Sequence, residues 1–189
     1  MMENLAYDEQ PVYEQYGNVT VAMSPPPTMR HINIAGNIYR IIGNYLRGKR
    51  CKVFPDGAKL FLGEEFRFLP DAMVVCDRSK IHQDGIHGAP DLVVEILSPA
   101  TSKRDKLLKK DAYEKYGVKE YWIVAPDEQS IEVYHLDNLK FRLDNIYSII
   151  PDWMLAEMTE KERAAVELHL KVSLYDDLII DIREIFEDV

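Results

Sequence analysis

The chain has 189 residues, 47% of them hydrophobic, which fits a single globular domain and excludes wholesale disorder. Its 32 acidic and 23 basic side chains give a formal net charge of −9, which argues against nonspecific coating of nucleic acid. Residues 151–189 hold 11 acids and 4 bases, a net of −7, so the rest of the chain is nearly neutral and leaves room for a local basic site.

Cys51 and Cys76 are too few for a four-thiolate zinc site, and no apolar run approaches the roughly 20 residues that cross a bilayer. We therefore expect a cytoplasmic protein without membrane contact.

The first half of the chain is predicted to contain an arm, a helix and several strands. Residues 1–28 are expected to form an N-terminal arm, because the prolines at 25–27 cannot lie inside a helix. A helix should follow, since isoleucines recur at helical spacing and Thr28 can cap the first turn. Strand-like apolar runs then occur at residues 51–54, 58–62, 68–76 and 91–97. Residues 77–89 contain two glycines and are predicted to be a loop.

The second half continues the alternation of helix and strand. A helix is predicted at about residues 103–116, with Ser102 as its cap and Gly117 as its end. Further strand-like runs lie at residues 120–124, 131–136 and 141–149. Residues 151–170 are expected to be a helical insertion, and the apolar stretch that follows should dock on the body. This order predicts one mixed α/β domain over residues 29–189, a central sheet with flanking helices.

Two carboxylates in apolar strands are the most informative residues. Asp71 opens one run and Glu95 lies near the end of another, and a charge in such a setting is costly unless it is compensated. Oxygen ligands suit Mg²⁺, and a cation held by few carboxylates keeps water that can become a nucleophile. For two acids alone, an equally good interpretation is that they bond loop amides or an arginine at strand ends.

The motifs around these acids resemble a known family. Pro70-Asp71 followed 24 residues later by Glu95 resembles the PD-(D/E)XK nuclease superfamily. Two longer runs are similar to the Uma-two family of proposed restriction endonucleases, namely PDLVVEILSP at 90–99 and GVKEYWIV at 117–124. The similarity extends over about residues 23–186, with 151–170 standing out as the insertion.

This resemblance implies a restriction-endonuclease-like core and Mg²⁺- or Mn²⁺-dependent hydrolysis of phosphodiester bonds, in DNA. By analogy, Asp71, Glu95 and the carbonyl of Ile96 would hold the metal. The superfamily's lysine position, two residues after Glu95, is Leu97 here. The resemblance assigns the lysine role to Lys109 on the following helix.

Supporting roles are predicted for four further residues. Asp105, Lys109 and Tyr113 recur at a spacing of four and share a helix face, so Asp105 and Tyr113 would fix Lys109. His31 starts the first helix, where a capping or core role competes with a supporting role at the site. Asp91 lies about 13 Å from Glu95 along one strand, so we expect it to bond loop amides rather than to share an ion with Glu95.

Basic residues in two stretches are candidates for contact with nucleic acid. They are Arg47, Lys49, Arg50, Lys103, Arg104, Lys106 and Lys110. The alternative for these residues, Lys109 included, is a solvated basic surface.

At the level of the whole protein, two interpretations compete. The first is a metal-dependent endonuclease, for which a homodimer is expected because cutting two strands needs two sites. The second is a catalytically inactive nuclease-like module that binds nucleic acid or protein.

Overall fold

The computed structural model describes residues 13–22, 26–98 and 105–189, with residues 105 and 106 described by their backbone alone. The strands are β1 Tyr13–Tyr16, β2 Val19–Ala22, β3 Lys52–Pro55, β4 Leu60–Leu62, β5 Phe66–Phe68, β6 Ala72–Val75, β7 Ile81–His82, β8 Gly85–His87, β9 Leu92–Ile96, β10 Glu120–Ala125, β11 Ser130–Asp137, β12 Lys140–Ser148, β13 His169–Lys171 and β14 Ile179–Asp181. The α-helices are α1 Met29–Tyr45, α2 Lys110–Tyr116, α3 Asp152–Glu157, α4 Glu160–Ala164 and α5 Ile182–Ile185. A 3-10 turn covers Arg78–Lys80 and a π-helical turn covers Asp105–Lys109.

A mixed six-stranded sheet forms the centre of the molecule, as the sequence predicts. Its strand order is β12-β11-β10-β9-β6-β3. Only β9 and β10 pair in parallel, because the crossover containing α2 joins them, and the other neighbours are antiparallel. The predicted mixed α/β fold is therefore confirmed.

A second sheet accounts for the largest difference from the predicted elements. Its order is β2-β1-β5-β4-β8-β7, and the hairpin β1–β2 belongs to the stretch predicted as an arm. The predicted strand at 68–76 is two strands, β5 in this sheet and β6 in the central one. Pro70 lies between them, where its missing N–H donor interrupts the pairing.

The helix α1 packs one face of the central sheet through Ile34, Ile38 and Ile42, which are almost fully buried. Its predicted cap is confirmed, since the Thr28 side chain accepts the N–H of His31. The C-terminal stretch docks against the same face, as the sequence predicts, and α5 contacts α1 directly.

The opposite face of the central sheet packs against α2 and the second sheet. Ala112 and Tyr113 of α2 and Phe68 of β5 are buried in this second core. Gly117 ends α2 in the left-handed region at φ 85°, which confirms the predicted end of this helix. The predicted cap Ser102 and the lysine and arginine at 103 and 104 lie outside the described residues.

Three further features complete the fold. The predicted helical element at 151–170 contains α3 and α4, and the capping box of Thr159 and Glu162 is present. Cys51 and Cys76 form a disulfide between the ends of β3 and β6, which the sequence analysis did not foresee. Of the helices in the described ranges, none has both the length and the apolar character that a membrane span requires.

Candidate active site

Strand register brings the two predicted acids to neighbouring positions in the central sheet. The antiparallel pair β6–β9 sets Ala72 against Val94, so the next step along this register places Asp71 beside Glu95. Ile96 follows Glu95, and its N–H donates to Asp71 Oδ2 at 2.6 Å. Residues 25 positions apart in the chain are thus joined by a direct hydrogen bond.

The first helix orients Asp71. His31 Nε2 lies 2.7 Å from Asp71 Oδ1, and both side chains are largely buried, at 14% and 13% exposure. The Thr28 cap fixes the start of α1 and therefore the position of His31. The carboxylate of Asp71 is held between a helix and a strand, which supports the predicted association of His31 with the site.

The next helical segment supplies the partners of Glu95. Lys109 Nζ lies 3.0 Å from Glu95 Oε2, and the Tyr113 hydroxyl donates to Glu95 Oε1 at 2.5 Å. Glu95 is 2% exposed and Lys109 3%, so the ion pair is buried. Burial, followed by the charge of Glu95, raises the pKa of Tyr113 well above its usual value and keeps the phenol protonated as a donor.

Tyr113 therefore contacts Glu95, whereas the sequence analysis predicted that it would fix Lys109. The side chain of Asp105 lies outside the described residues. Because Lys109 belongs to the π-helical turn and Tyr113 to α2, both point from one continuous helical stretch onto β9. The face predicted from their spacing is the face that covers Glu95.

Glu14 is a site residue that the sequence analysis missed. Its Oε1 lies 2.9 Å from Lys109 Nζ, and its side chain is 5% exposed. It sits on β1, whose pairing with β5 brings the N-terminal hairpin over Lys109. The sequence signal that predicts this hairpin is Gly17-Asn18, a two-residue turn between strand-forming residues.

Asp56 is a second missed acid. The β3–β6 register sets Pro55 against Ala72, so Asp56 follows opposite Asp71. Partial burial, followed by the Asp71 carboxylate, raises the pKa of Asp56. A row of acids, Asp56, Asp71 and Glu95, therefore crosses three neighbouring strands.

The donors present suit a hard cation that takes few protein ligands. Within the described residues, no three His, Cys, Asp or Glu side chains form a group that would hold a metal by themselves. Magnesium is usually bound through one or two carboxylates, waters and substrate phosphates. Asp71 and Glu95 are two carboxylates at neighbouring positions of the sheet, so they are the residues that could hold such a cation.

The other predicted residues whose side chains the structure describes make their contacts elsewhere. Asp91 accepts the N–H of Cys76 at 2.7 Å and pairs with Lys119, at the end of β9 away from Glu95. Lys110 lies 3.5 Å over the Tyr134 ring. The basic residues Arg47, Lys49 and Arg50 follow α1 and lie beside Cys51, at the end of β3 opposite Asp56. The structure does not bring this basic stretch together with Asp71 and Glu95.

The chain is similar to known proteins in both sequence and fold. Residues 2–146 match the Uma2 (Uma-two) family, described as "Putative restriction endonuclease". A crystal structure of "a putative nuclease belonging to DUF820 from Anabaena variabilis ATCC 29413" has a similar fold, with a TM-score of 0.69 and 22% sequence identity. The similarity covers 93% of this chain and 90% of that one. A comparison with curated proteins finds no match.

Proposed function

The chain belongs to the Uma-two family of restriction endonuclease-like proteins, and we propose that it is a nuclease that uses Mg²⁺ or Mn²⁺ to hydrolyse phosphodiester bonds in DNA. The observation that carries this proposal is the buried contact of Glu95 with Lys109 and Tyr113, one residue from the backbone amide that holds Asp71. A carboxylate pair beside an ammonium group suits metal-assisted hydrolysis, because the carboxylates can hold a cation and the ammonium can stabilise developing negative charge.

In this proposal each side chain has one task. Asp71, Glu95 and the carbonyl of Ile96 would hold the cation, which supplies Lewis-acid activation of the phosphate and of a water. Lys109 places a positive charge where negative charge develops on the phosphate in the transition state. His31 orients Asp71, and Tyr113 orients Glu95.

Nucleic acid would be held by basic residues around the site. Lys103, Arg104, Lys106 and Lys110 are close neighbours of Lys109 in the sequence, so we propose that they contact phosphates near the cleaved bond. Arg47, Lys49 and Arg50 would act only on a substrate long enough to reach the opposite end of β3. A steep fall of DNA affinity with added salt is expected if these contacts form.

The test is a plasmid-cleavage assay with Mg²⁺ or Mn²⁺. Asp71→Asn is expected to abolish metal-dependent cleavage, and Lys109→Met to lower kcat about 100-fold or more, as the loss of a charge-stabilising donor does. Lys115→Met is the matched control, because Lys115 lies on the same helical stretch but pairs with the exposed Glu65. Cleavage that survives Asp71→Asn would contradict the proposal.

One observation favours the inactive alternative. Glu95 and Lys109 are almost completely buried and lie 3.0 Å apart, which is also the arrangement of a structural ion pair. Calorimetric titration with Mn²⁺ separates the two functions. Salt-sensitive DNA binding without Mn²⁺ binding or cleavage by the unmodified protein would favour the binding module.

We also propose that the nuclease acts as a homodimer, because cutting both strands requires two sites. The exposed side chains of Trp153 and Met154 on α3 support an interface there. Sedimentation equilibrium tests this by comparing the full chain with a variant in which a Gly-Ser linker replaces residues 152–164. An unchanged dimer in the variant would remove this element from the interface, and a monomeric full chain would contradict the dimer.

A further inference from the structure

We propose that Glu14 is a positioning residue of the catalytic centre, which shares the Lys109 ammonium with Glu95 and thereby leaves Glu95 with enough negative charge to bind the cation. This inference rests on the proposed metal-dependent nuclease function. It makes the N-terminal hairpin a part of the active centre and not an accessory arm.

The first argument is the geometry of the shared ammonium group. Lys109 Nζ lies 2.9 Å from Glu14 Oε1 and 3.0 Å from Glu95 Oε2. The side chains of Lys109, Glu14 and Glu95 are 4%, 5% and 3% exposed, so water screens these charges little. The two carboxylates therefore compete for one ammonium group at nearly equal distances.

The second argument is that Glu14 is itself fixed on both oxygens. The backbone N–H of Leu69 donates to Oε1 at 3.1 Å, and the Tyr16 hydroxyl donates to Oε2 at 2.8 Å. Leu69 is two residues before Asp71 in the chain. One carboxylate thus links the hairpin, Lys109 and the segment that leads into the candidate metal ligand Asp71.

The third argument is charge. Glu14, Glu95 and Lys109 in their usual charged forms sum to one negative charge, and the carboxylate of Asp71 beside them adds a second. Without the charge of Glu14, the Lys109 ammonium would neutralise more of the charge of Glu95, and less negative charge would remain on Glu95 for a divalent cation. Because water screens close buried charges little, this loss is expected to weaken cation binding by about ten-fold or more.

The experiment compares Glu14→Gln with the unmodified chain. Glutamine keeps the length of the side chain and an oxygen that can accept from Leu69 and Lys109, but it removes the charge. We expect the Mn²⁺ dissociation constant, measured by calorimetry, to rise about ten-fold or more. In cleavage assays at limiting Mn²⁺, kcat should fall while KM for DNA stays within about two-fold.

A control and a rescue variant separate this role from general stability. Glu65→Gln removes a glutamate from an exposed pair with Lys115 and should leave Mn²⁺ affinity and kcat unchanged. Glu14→Asp keeps the charge at a greater distance from Lys109 and should recover a measurable part of the Mn²⁺ affinity. If Glu14→Gln does not fold, Glu14→Asp is compared with Tyr16→Phe, which keeps the Glu14 charge and should bind Mn²⁺ within about three-fold of the unmodified chain.

The outcomes distinguish this inference from the proposed function. Equal Mn²⁺ affinity and kcat in the unmodified chain and Glu14→Gln would overturn the role of Glu14 and leave the nuclease proposal standing. If Glu14→Gln does not fold, the fallback pair of variants decides. The role of Glu14 would then be overturned if Glu14→Asp binds Mn²⁺ as tightly as Tyr16→Phe does. Absence of both Mn²⁺ binding and cleavage in the unmodified chain would overturn the nuclease proposal, and the role of Glu14 with it.

Discussion

Tyr113 and Tyr134 make the same hydrogen bond in two different settings. Each hydroxyl donates to a glutamate oxygen at 2.5 Å, Tyr113 to Glu95 and Tyr134 to Glu132. Tyr113 is fully buried, whereas Tyr134 is only partly buried. The cost of losing such a bond depends on whether water can replace the donor, so these two tyrosines form a matched pair.

We expect Tyr113→Phe to destabilise the fold by about 1–3 kcal/mol, because it leaves a buried carboxylate oxygen without this donor. Tyr134→Phe should cost less, since solvent can reach Glu132. Urea unfolding measures both values. If Tyr113 orients Glu95 for catalysis, Tyr113→Phe should also lower kcat more than Tyr134→Phe does, and equal effects on kcat would contradict that role.

His135 is expected to make the stability of the fold depend on pH. Its Nε2 lies 3.8 Å from the fully buried Glu120, and its Nδ1 lies 3.7 Å from Asp144. The interaction with Glu120, with a smaller contribution from Asp144, raises the pKa of His135 above its ordinary value of about 6.5. Protonated His135 therefore stabilises the fold. This contribution is complete below the unfolded pKa and is lost as the pH rises through the higher folded pKa.

The corresponding measurement compares the unmodified chain with His135→Gln by thermal unfolding. We expect the substitution to lower Tm more at pH 5.5 than at pH 8.5. Comparing differences between the two chains cancels the titration of other groups. A Tm difference that does not change with pH would show that His135 is not protonated preferentially in the fold.

At the scale of elements, local patterns were sufficient for some of the site and insufficient for the rest. The strand around Glu95 and the helical spacing of Lys109 and Tyr113 are local signals, and the structure contains both features. Glu14 pairs with Lys109 although the two residues are 95 positions apart in the chain. The contact depends on a hairpin of the second sheet, and no local sequence pattern encodes such a long-range contact. The position of Asp56 opposite Asp71 follows from the β3–β6 register, and a strand pattern alone does not specify that register.

The disulfide between Cys51 and Cys76 carries a prediction about β3 and β6. It closes a loop with a sequence separation of 25 at the end of these strands opposite Asp56 and Asp71. The loop-entropy relation gives a stabilisation of about 3.5 kcal/mol for a loop of this length. Urea unfolding with and without dithiothreitol should reveal that difference.

The double variant Cys51→Ala, Cys76→Ala is the control for this measurement. It should unfold at the lower stability and should not respond to the reductant. An unmodified chain whose urea midpoint does not change with dithiothreitol would show that the bridge contributes nothing to stability in solution.

At the scale of the whole molecule, the C-terminal stretch completes the core although the family match ends at residue 146. Buried residues from this stretch pack with α1 and the central sheet, namely Leu170, Val172, Leu178, Ile180, Ile182, Ile185 and Phe186. The helices α3 and α4 contain no buried residues. The acidic C-terminal region thus combines an exposed helical element with an apolar segment that the fold requires.

Two isoleucines three positions apart test this division. Ile182 is fully buried at the start of α5, whereas Ile179 on β14 is 57% exposed. Ile182→Ala should cost about 2–5 kcal/mol through lost burial and the cavity left behind. Ile179→Ala should stay within about 0.5 kcal/mol of the unmodified chain, as exposed substitutions usually do. For a chain of this size, each kcal/mol of lost stability lowers Tm by about 2–4 °C, so thermal unfolding resolves the two variants. Equal losses of Tm would show that the segment is not part of the cooperative core.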